Sequence, residues 1–370
     1  MSEKEDAVKE LEENAKNSAK KLGRKPILIF LFILLNIAVI ALMAFSEFGN
    51  SENATALSEV KLNFWLLIPA ALCFLVGIVA EIYKYVLMMR RAGHKKVTKR
   101  VWTVARRTVL LGKYYDNITP AAIGGQPFQI YYMYKNSKIS SGMATTIPII
   151  GMISNQIAFL IIAIFAIFFG GFMINNSTLT ATACLGLLFF AFWPIAILIA
   201  TFLPKTTSEL IALGVKFGAK LHLVKNKAVA EKKVRDGVNE YAECVKTILK
   251  TRRLLFETIL LSVVFNALVA AIPYFVLAAF GGNVDFMTCF VTTIAVTAAV
   301  YFIPTPGNAG AAEGTFYLVF SGLSSGYIFW AMLVWRFFSY YIYIILGPTI
   351  YAQMHFEKKR MKGELKVKNA

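Results

Sequence analysis

The chain has few groups with which to do covalent chemistry. Its three histidines (His94, His222, His355) fall in basic stretches, and its four cysteines (Cys73, Cys184, Cys244, Cys289) have no metal-ligand spacing. Three of these cysteines lie in apolar runs and read as buried thiols, so neither a disulfide framework nor a metal centre is expected. No phosphate-cradling nucleotide loop is present, and no cofactor is expected. Alternating ten-residue apolar segments are absent, which excludes a transmembrane β-barrel. A cleavable signal peptide is not expected, because the long charged start leads into a full-length apolar run. Acid is scarce: 21 Asp and Glu stand against 39 Lys and Arg, for a formal charge of +18. In a soluble protein that imbalance would suggest nucleic acid. Here the basic residues cluster between apolar runs, where the positive-inside rule accounts for them. Nucleic acid is therefore not an expected partner, whereas anionic lipid headgroups are.

What the chain does have is apolar length. Hydrophobic residues make up 57% of it and the mean hydropathy is +0.60, above the about 45–50% apolar content of soluble domains. Several runs reach the about 20 residues that cross a bilayer as helix. The expected fold is an all-α polytopic membrane protein with about six full spans and two re-entrant helical hairpins.

Residues 1–25 read as a mixed-charge arm, Pro26–Phe45 as the first span and Phe64–Met89 as the second. The second carries Glu81 and Lys84, which share a helix face. They read either as an interfacial ion pair near the helix end or as part of a site. The stretch Arg90–Arg107 holds eight Lys or Arg and no acid, a cytoplasmic signature. A short basic helix follows, then a break at Asn117–Pro127 (Asn-Ile-Thr-Pro-Ala-Ala-Ile-Gly-Gly-Gln-Pro) flanked by Asp116 and Lys113, which read as solvated hairpin ends. Spans are expected at Gly142–Phe172 and Leu179–Leu203. The segment 204–253 holds twelve Lys or Arg against five acids and reads as a cytoplasmic amphipathic insertion. Its apolar residues Val234, Val238, Tyr241, Val245 and Ile248 recur at helical spacing, either on the membrane surface or packed under the bundle. Spans are expected again at Leu254–Phe280 and Tyr327–Tyr351, and a basic cytoplasmic tail at 353–370.

Between those last two spans lies a second break, Ile303–Gly314 (Ile-Pro-Thr-Pro-Gly-Asn-Ala-Gly-Ala-Ala-Glu-Gly). Its prolines and glycines cannot continue a helix. Broken backbone at membrane depth is tolerated only where protein or a water-filled cavity satisfies it. Each half of the chain, about 26–172 and 179–352, then reads span, span, hairpin, span, with the second half inverted. Gly/Pro-interrupted segments at matching places in two inverted halves mark a substrate site in many transporters. The competing reading is that both hairpins are packing elements only.

These two motifs, together with Trp335-Arg336-Phe337-Phe338-Ser339-Tyr340-Tyr341 and Gly347, resemble the transmembrane domain of bacterial lysylphosphatidylglycerol synthases, also called multiple peptide resistance factors. The resemblance runs from about residue 25 to 352. It implies a flippase in a bacterial cell membrane, with both termini cytoplasmic. Its cargo would be lysylphosphatidylglycerol or a related phospholipid, and its effect resistance to cationic antimicrobial peptides. Full-length members make the lipid in a soluble phosphatidylglycerol lysyltransferase domain; only a short tail follows Tyr351, so that activity is not expected of this chain alone. Gln126 stands where relatives often carry an acid.

A lysyl headgroup needs an anion for its ammonium groups and donors for its phosphate. Glu313 is the candidate for the first and Arg336 for the second. Half-helix N-termini after Pro127 and after Gly310 would offer N–H groups, and Asn117, Thr119, Gln126, Thr305 and Asn308 neutral polar contacts. The alternative for Glu313 and Arg336 is an internal salt bridge fastening the hairpin to the last span; the two roles are compatible. For Pro120, Gly124, Gly125, Pro127, Pro304, Pro306, Gly307 and Gly310 the alternative is backbone geometry alone. Two other functions compete with the flippase: the lysyltransferase itself, and a scaffold subunit serving a separate lipid aminoacyl-transferase. A homo-oligomer is left open.

Overall fold

A computed structural model describes residue 41 and residues 62–93, 97–122, 124–170, 177–220, 227–301, 303, 305–321 and 328–368. Most of these residues are helical, with no strand among them. In chain order the helices are α1 (Leu67–Arg91), α2 (Lys99–Ile118), α3 (Gly125–Asn136), α4 (Ser141–Gly170), α5 (Ser177–Phe202), α6 (Pro204–Lys220), α7 (Lys227–Leu249), α8 (Arg252–Ala279), α9 (Phe286–Val300), α10 (Ala311–Ser321), α11 (Ile328–Arg336) and α12 (Ile342–Lys368). Among the described residues, five helical stretches are long and apolar enough to cross a membrane: Phe64–Arg91, Ser141–Phe169, Leu179–Phe202, Arg252–Ala279 and Ile328–Glu357. The chain is a multi-pass helical membrane protein. The span expected at Pro26–Phe45 lies, but for Ala41, outside the described residues.

Local chemistry sets the helix ends. Thr98 caps α2 by accepting the Val101 N–H on its hydroxyl, and Asp285 caps α9 by accepting that of Thr288. Helices α3, α9 and α10 have 12, 15 and 11 residues, too few to cross a bilayer alone. Helix α2 has 20 residues but carries Lys99, Arg100, Arg106, Arg107 and Lys113. Helices α2 and α3 pack on each other, as do α9 and α10, so each break sits at the tip of a helical pair.

Helix α1 lies along α8, and α4 and α2 pack on α1. Helix α2 also packs on α12, while α9 packs on α4, α5 and α8. A cluster of Phe159, Ile162, Ala163, Phe190, Ile294 and Ala298 joins α4, α5 and α9. In lipid this contact gains little from expelling water, so it depends on close packing. Gly186 provides it: a Cβ there would overlap the backbone of Ala298. Large side chains on the outer faces, among them Leu72, Ile164, Phe168 and Leu188, are exposed, as suits contact with acyl chains.

The insertion at 204–253 forms α6 and α7, which pack together, and α7 also packs on α4, α5 and α8. Val245 and Ile248 are buried and Val238 is half-buried. The apolar face of α7 therefore packs against the bundle. The side chains of Val234 and Tyr241 lie outside those described.

Candidate functional site

Helix α9 ends at Tyr301, and the chain then turns through Thr305-Pro306-Gly307-Asn308 before α10 begins. Gly307, Asn308 and Gly310 all have left-handed backbones, with φ of 59°, 55° and 83°. At Gly307 the requirement is double, since a Cβ there would also run into the Tyr340 ring. Glu313 stands in the first turn of α10. Its Oε2 accepts the Gly310 N–H at 2.7 Å, tying the carboxylate to the end of its own break. A negative charge there also suits the helix dipole.

The other carboxylate oxygen faces α11. Arg336 Nε donates to Glu313 Oε1 at 2.7 Å, with side chains 5% and 3% exposed. Arg336 Nη2 donates to the Gly307 carbonyl at 3.2 Å, and its guanidinium lies 4.6 Å from the centre of the Tyr340 ring. A single π-helical turn, Phe337–Tyr341, follows Arg336; such turns recur at functional sites. In this conformation the pair fastens the second break to the last span.

The first break is tied more locally. Thr119 Oγ1 donates to the Tyr115 carbonyl at 2.7 Å and accepts the Gly124 N–H at 2.9 Å. Asp116 Oδ1 accepts the Gly125 N–H at 2.9 Å, and a Cβ on Gly125 would displace that carboxylate. Asp116 is thus half-buried and bonded across its break, which corrects the expectation of a solvated hairpin end. Lys113 is half-buried too, with its ammonium 5.0 Å from the Phe265 ring centre. Helix α3 opens at Gly125, so Pro127 lies inside its first turn, not before it; that position needs no N–H donor. Gly310 does immediately precede α10, as expected.

The two breaks meet: the turn Pro120–Ala122 packs against the turn Pro306–Asn308, and α2 packs on the latter as well. Asn117, Thr119, Gln126, Thr305 and Asn308 are all half-buried around this junction. Pro120 and Pro127 are exposed, Gly124, Pro306 and Gly310 half-buried, and Pro304 lies outside the described residues.

A second polar cluster stands in the bundle. Lys84 is fully buried and Glu81 is 3% exposed, with Nζ to Oε2 at 2.7 Å. Lys84 Nζ also donates to Asn155 Oδ1 at 3.0 Å, Ser262 Oγ at 2.9 Å and the Gly151 carbonyl at 3.2 Å. Asn155 Nδ2 in turn donates to Glu81 Oε1 at 2.9 Å. The expected ion pair forms, and it is buried within the bundle. The spacing of Glu81 and Lys84 pointed to the pair. Its cage comes from α4 and α8, which the local sequence does not reveal. Beside it Tyr85 donates its hydroxyl to Gln129 Oε1 at 3.1 Å, carrying the polar line to the first hairpin.

Multiple apolar spans, two helix pairs whose breaks meet and buried charge inside the bundle define the class: a polytopic helical membrane protein with polar clusters in its interior. The family model for the lysylphosphatidylglycerol synthase TM region matches residues 27–347. The chain belongs to that family, which ties it to a membrane role in lysylphosphatidylglycerol synthesis or transport. No curated protein and no solved structure matches it.

Proposed function

We propose that this chain is a lipid flippase that moves lysylphosphatidylglycerol or a related phospholipid between leaflets. The observation that carries the reading is the contact between the two breaks. Two interrupted helix pairs that meet tip to tip bring half-helix ends and polar side chains to one place. Transporter sites are built that way at the interface of inverted repeats. The packing of α2 on α12, answered by that of α9 on α4, supports an inverted repeat of two halves, each with a re-entrant hairpin.

A charged headgroup at the bilayer centre costs from a few to more than ten kcal/mol. A polar path through the bundle, with the acyl chains left in lipid, lowers that cost. In this reading Arg336 exchanges its protein partners for the lipid phosphate, and Glu313 receives an ammonium group. Asn117, Thr119, Gln126, Thr305 and Asn308 line the path. The domain runs over 26–352 in a bacterial membrane with cytoplasmic termini, and a separate aminoacyl-transferase supplies the lipid. Outer-leaflet display of that lipid would lower negative surface charge and repel cationic peptides.

Photolabelling tests where the headgroup goes. Phosphatidylglycerol carrying a photoreactive headgroup, reconstituted with the protein, should label peptides from 117–127 and 303–314. Labelling confined to the outer face of α5 would refute a path through the breaks.

A further inference from the structure

The charged groups at the breaks are engaged within the protein. Glu313 holds Arg336 and the Gly310 amide, Arg336 holds the Gly307 carbonyl, and Asp116 holds the Gly125 amide. Neutral hydrogen-bonding capacity is left over as well. Among the described residues, buried Gln126 Oε1 at the first break and buried Thr305 Oγ1 at the second have no hydrogen-bond partner. Neither amide atom of Gln156 has one, although that side chain, on α4, is only 3% exposed.

Gln156 belongs to the same neighbourhood. Phe159, three residues further along α4, stacks on Phe190 with centroids 4.3 Å apart, and Phe190 stacks on Tyr301, the residue at which α9 gives way to the second break. Stacking on Phe190, with centroids 3.7 Å apart, holds the Tyr301 ring. The preceding residue, Asn155, turns to the Glu81–Lys84 pair, so α4 offers one amide to the bundle and the next to the breaks.

Buried polar groups in native proteins are nearly always paired with protein, water or ligand. A carboxamide both donates and accepts, and so does a hydroxyl. Such groups suit a ligand rich in hydroxyls and supply no countercharge of their own. We infer that Gln156, with Gln126, Thr305 and the Tyr301 hydroxyl, forms a neutral subsite for the hydroxyl groups of a polyol phospholipid headgroup, the glycerol of phosphatidylglycerol being the simplest. That its ligand is a lipid rests on the flippase reading. The subsite sets specificity, because a pocket built to hydrogen-bond a hydroxyl discriminates strongly against the analogue that lacks it.

The test compares phosphatidylglycerol with phosphatidylpropanol, which has the same phosphodiester charge and headgroup carbon count but no hydroxyls. Native mass spectrometry of the detergent-solubilised full chain reads the relative affinities. The wild type should favour phosphatidylglycerol by about tenfold or more. Gln156→Met should bring phosphatidylglycerol down to the analogue and leave the analogue unchanged. Thr305→Val, at a separate position, should erode the same preference and covers the case in which Gln156→Met does not fold. Equal wild-type affinities would overturn the subsite, as would a preference that survives both substitutions. Leaflet transfer, measured in parallel, separates the two ideas. Binding preference without transfer sinks the flippase and leaves the subsite; transfer without preference does the reverse.

Discussion

Arg336 and Glu313, 23 residues apart, form a 2.7 Å hydrogen-bonded ion pair that ties the second break to the helix beyond it. Removing one partner strands a buried charge, which costs about 3–5 kcal/mol. Arg336→Met and Glu313→Gln should each be strongly destabilised, and the double variant much less so than their sum. Unfolding in mixed micelles, taken as a double-mutant cycle, reads this. Additive losses would mean the two groups do not depend on each other.

The Glu81–Lys84 pair makes the same point deeper in the bundle. Lys84→Met alone leaves Glu81 charged with only Asn155 to hold it, so a loss of about 3–5 kcal/mol is expected. Glu81→Leu combined with Lys84→Met removes both charges and should recover most of that loss. Thermal unfolding in detergent distinguishes the outcomes. A double variant less stable than Lys84→Met would show that the network matters beyond charge balance.

Backbone geometry separates two glycines. Gly307→Ala places a Cβ at φ 59° and into the Tyr340 ring, and should lower the melting temperature. Gly237 lies inside α7 with nothing within 4 Å of an added Cβ. Gly237→Ala should stabilise by about 0.5–1 kcal/mol through helix propensity. Equal effects at both positions would contradict the described turn.

Asp285 is an exposed cap whose carboxylate accepts the backbone N–H of Thr288, and that bond pulls its pKa below the usual carboxylate range. A lowered pKa contributes stability above the unfolded value, about 4, and the contribution fades as pH falls through the folded value. Asp285→Ala should therefore melt lower than wild type at pH 7, with the gap closing as the medium is acidified below pH 4. Asp285→Asn should keep the cap and lose the pH dependence. A gap independent of pH would argue against the charged cap.

Much of this architecture is legible in the sequence because it rests on local properties. Apolar runs mark the spans, and Pro306, Gly307 and Gly310 mark a break whatever surrounds them. The pairing of Glu313 with Arg336 is legible as well, since an acid in a break and an arginine in the next span have little else to meet. Other features depend on distant parts of the chain. Ser262 reaches Lys84 from 178 residues away, and nothing near either residue announces it. Asp116 sits among charges and so reads as solvated, yet the chain folds back and brings the Gly125 amide to it. Gln156 gave no signal at all, since a lone amide in an apolar run acquires meaning only when its neighbours are known to leave it unpaired.

Leaflet transfer in proteoliposomes tests most directly whether the protein moves lipid. Purified protein is reconstituted with headgroup-labelled lysylphosphatidylglycerol or phosphatidylglycerol, and exposure of the label to an impermeant reagent is followed over time. Transfer well above that of empty liposomes is expected, lost in Arg336→Ala preparations that remain monodisperse. Transfer no faster than in empty liposomes for either lipid, and still absent with native membrane lipids added, would contradict it and favour a scaffold serving a separate synthase.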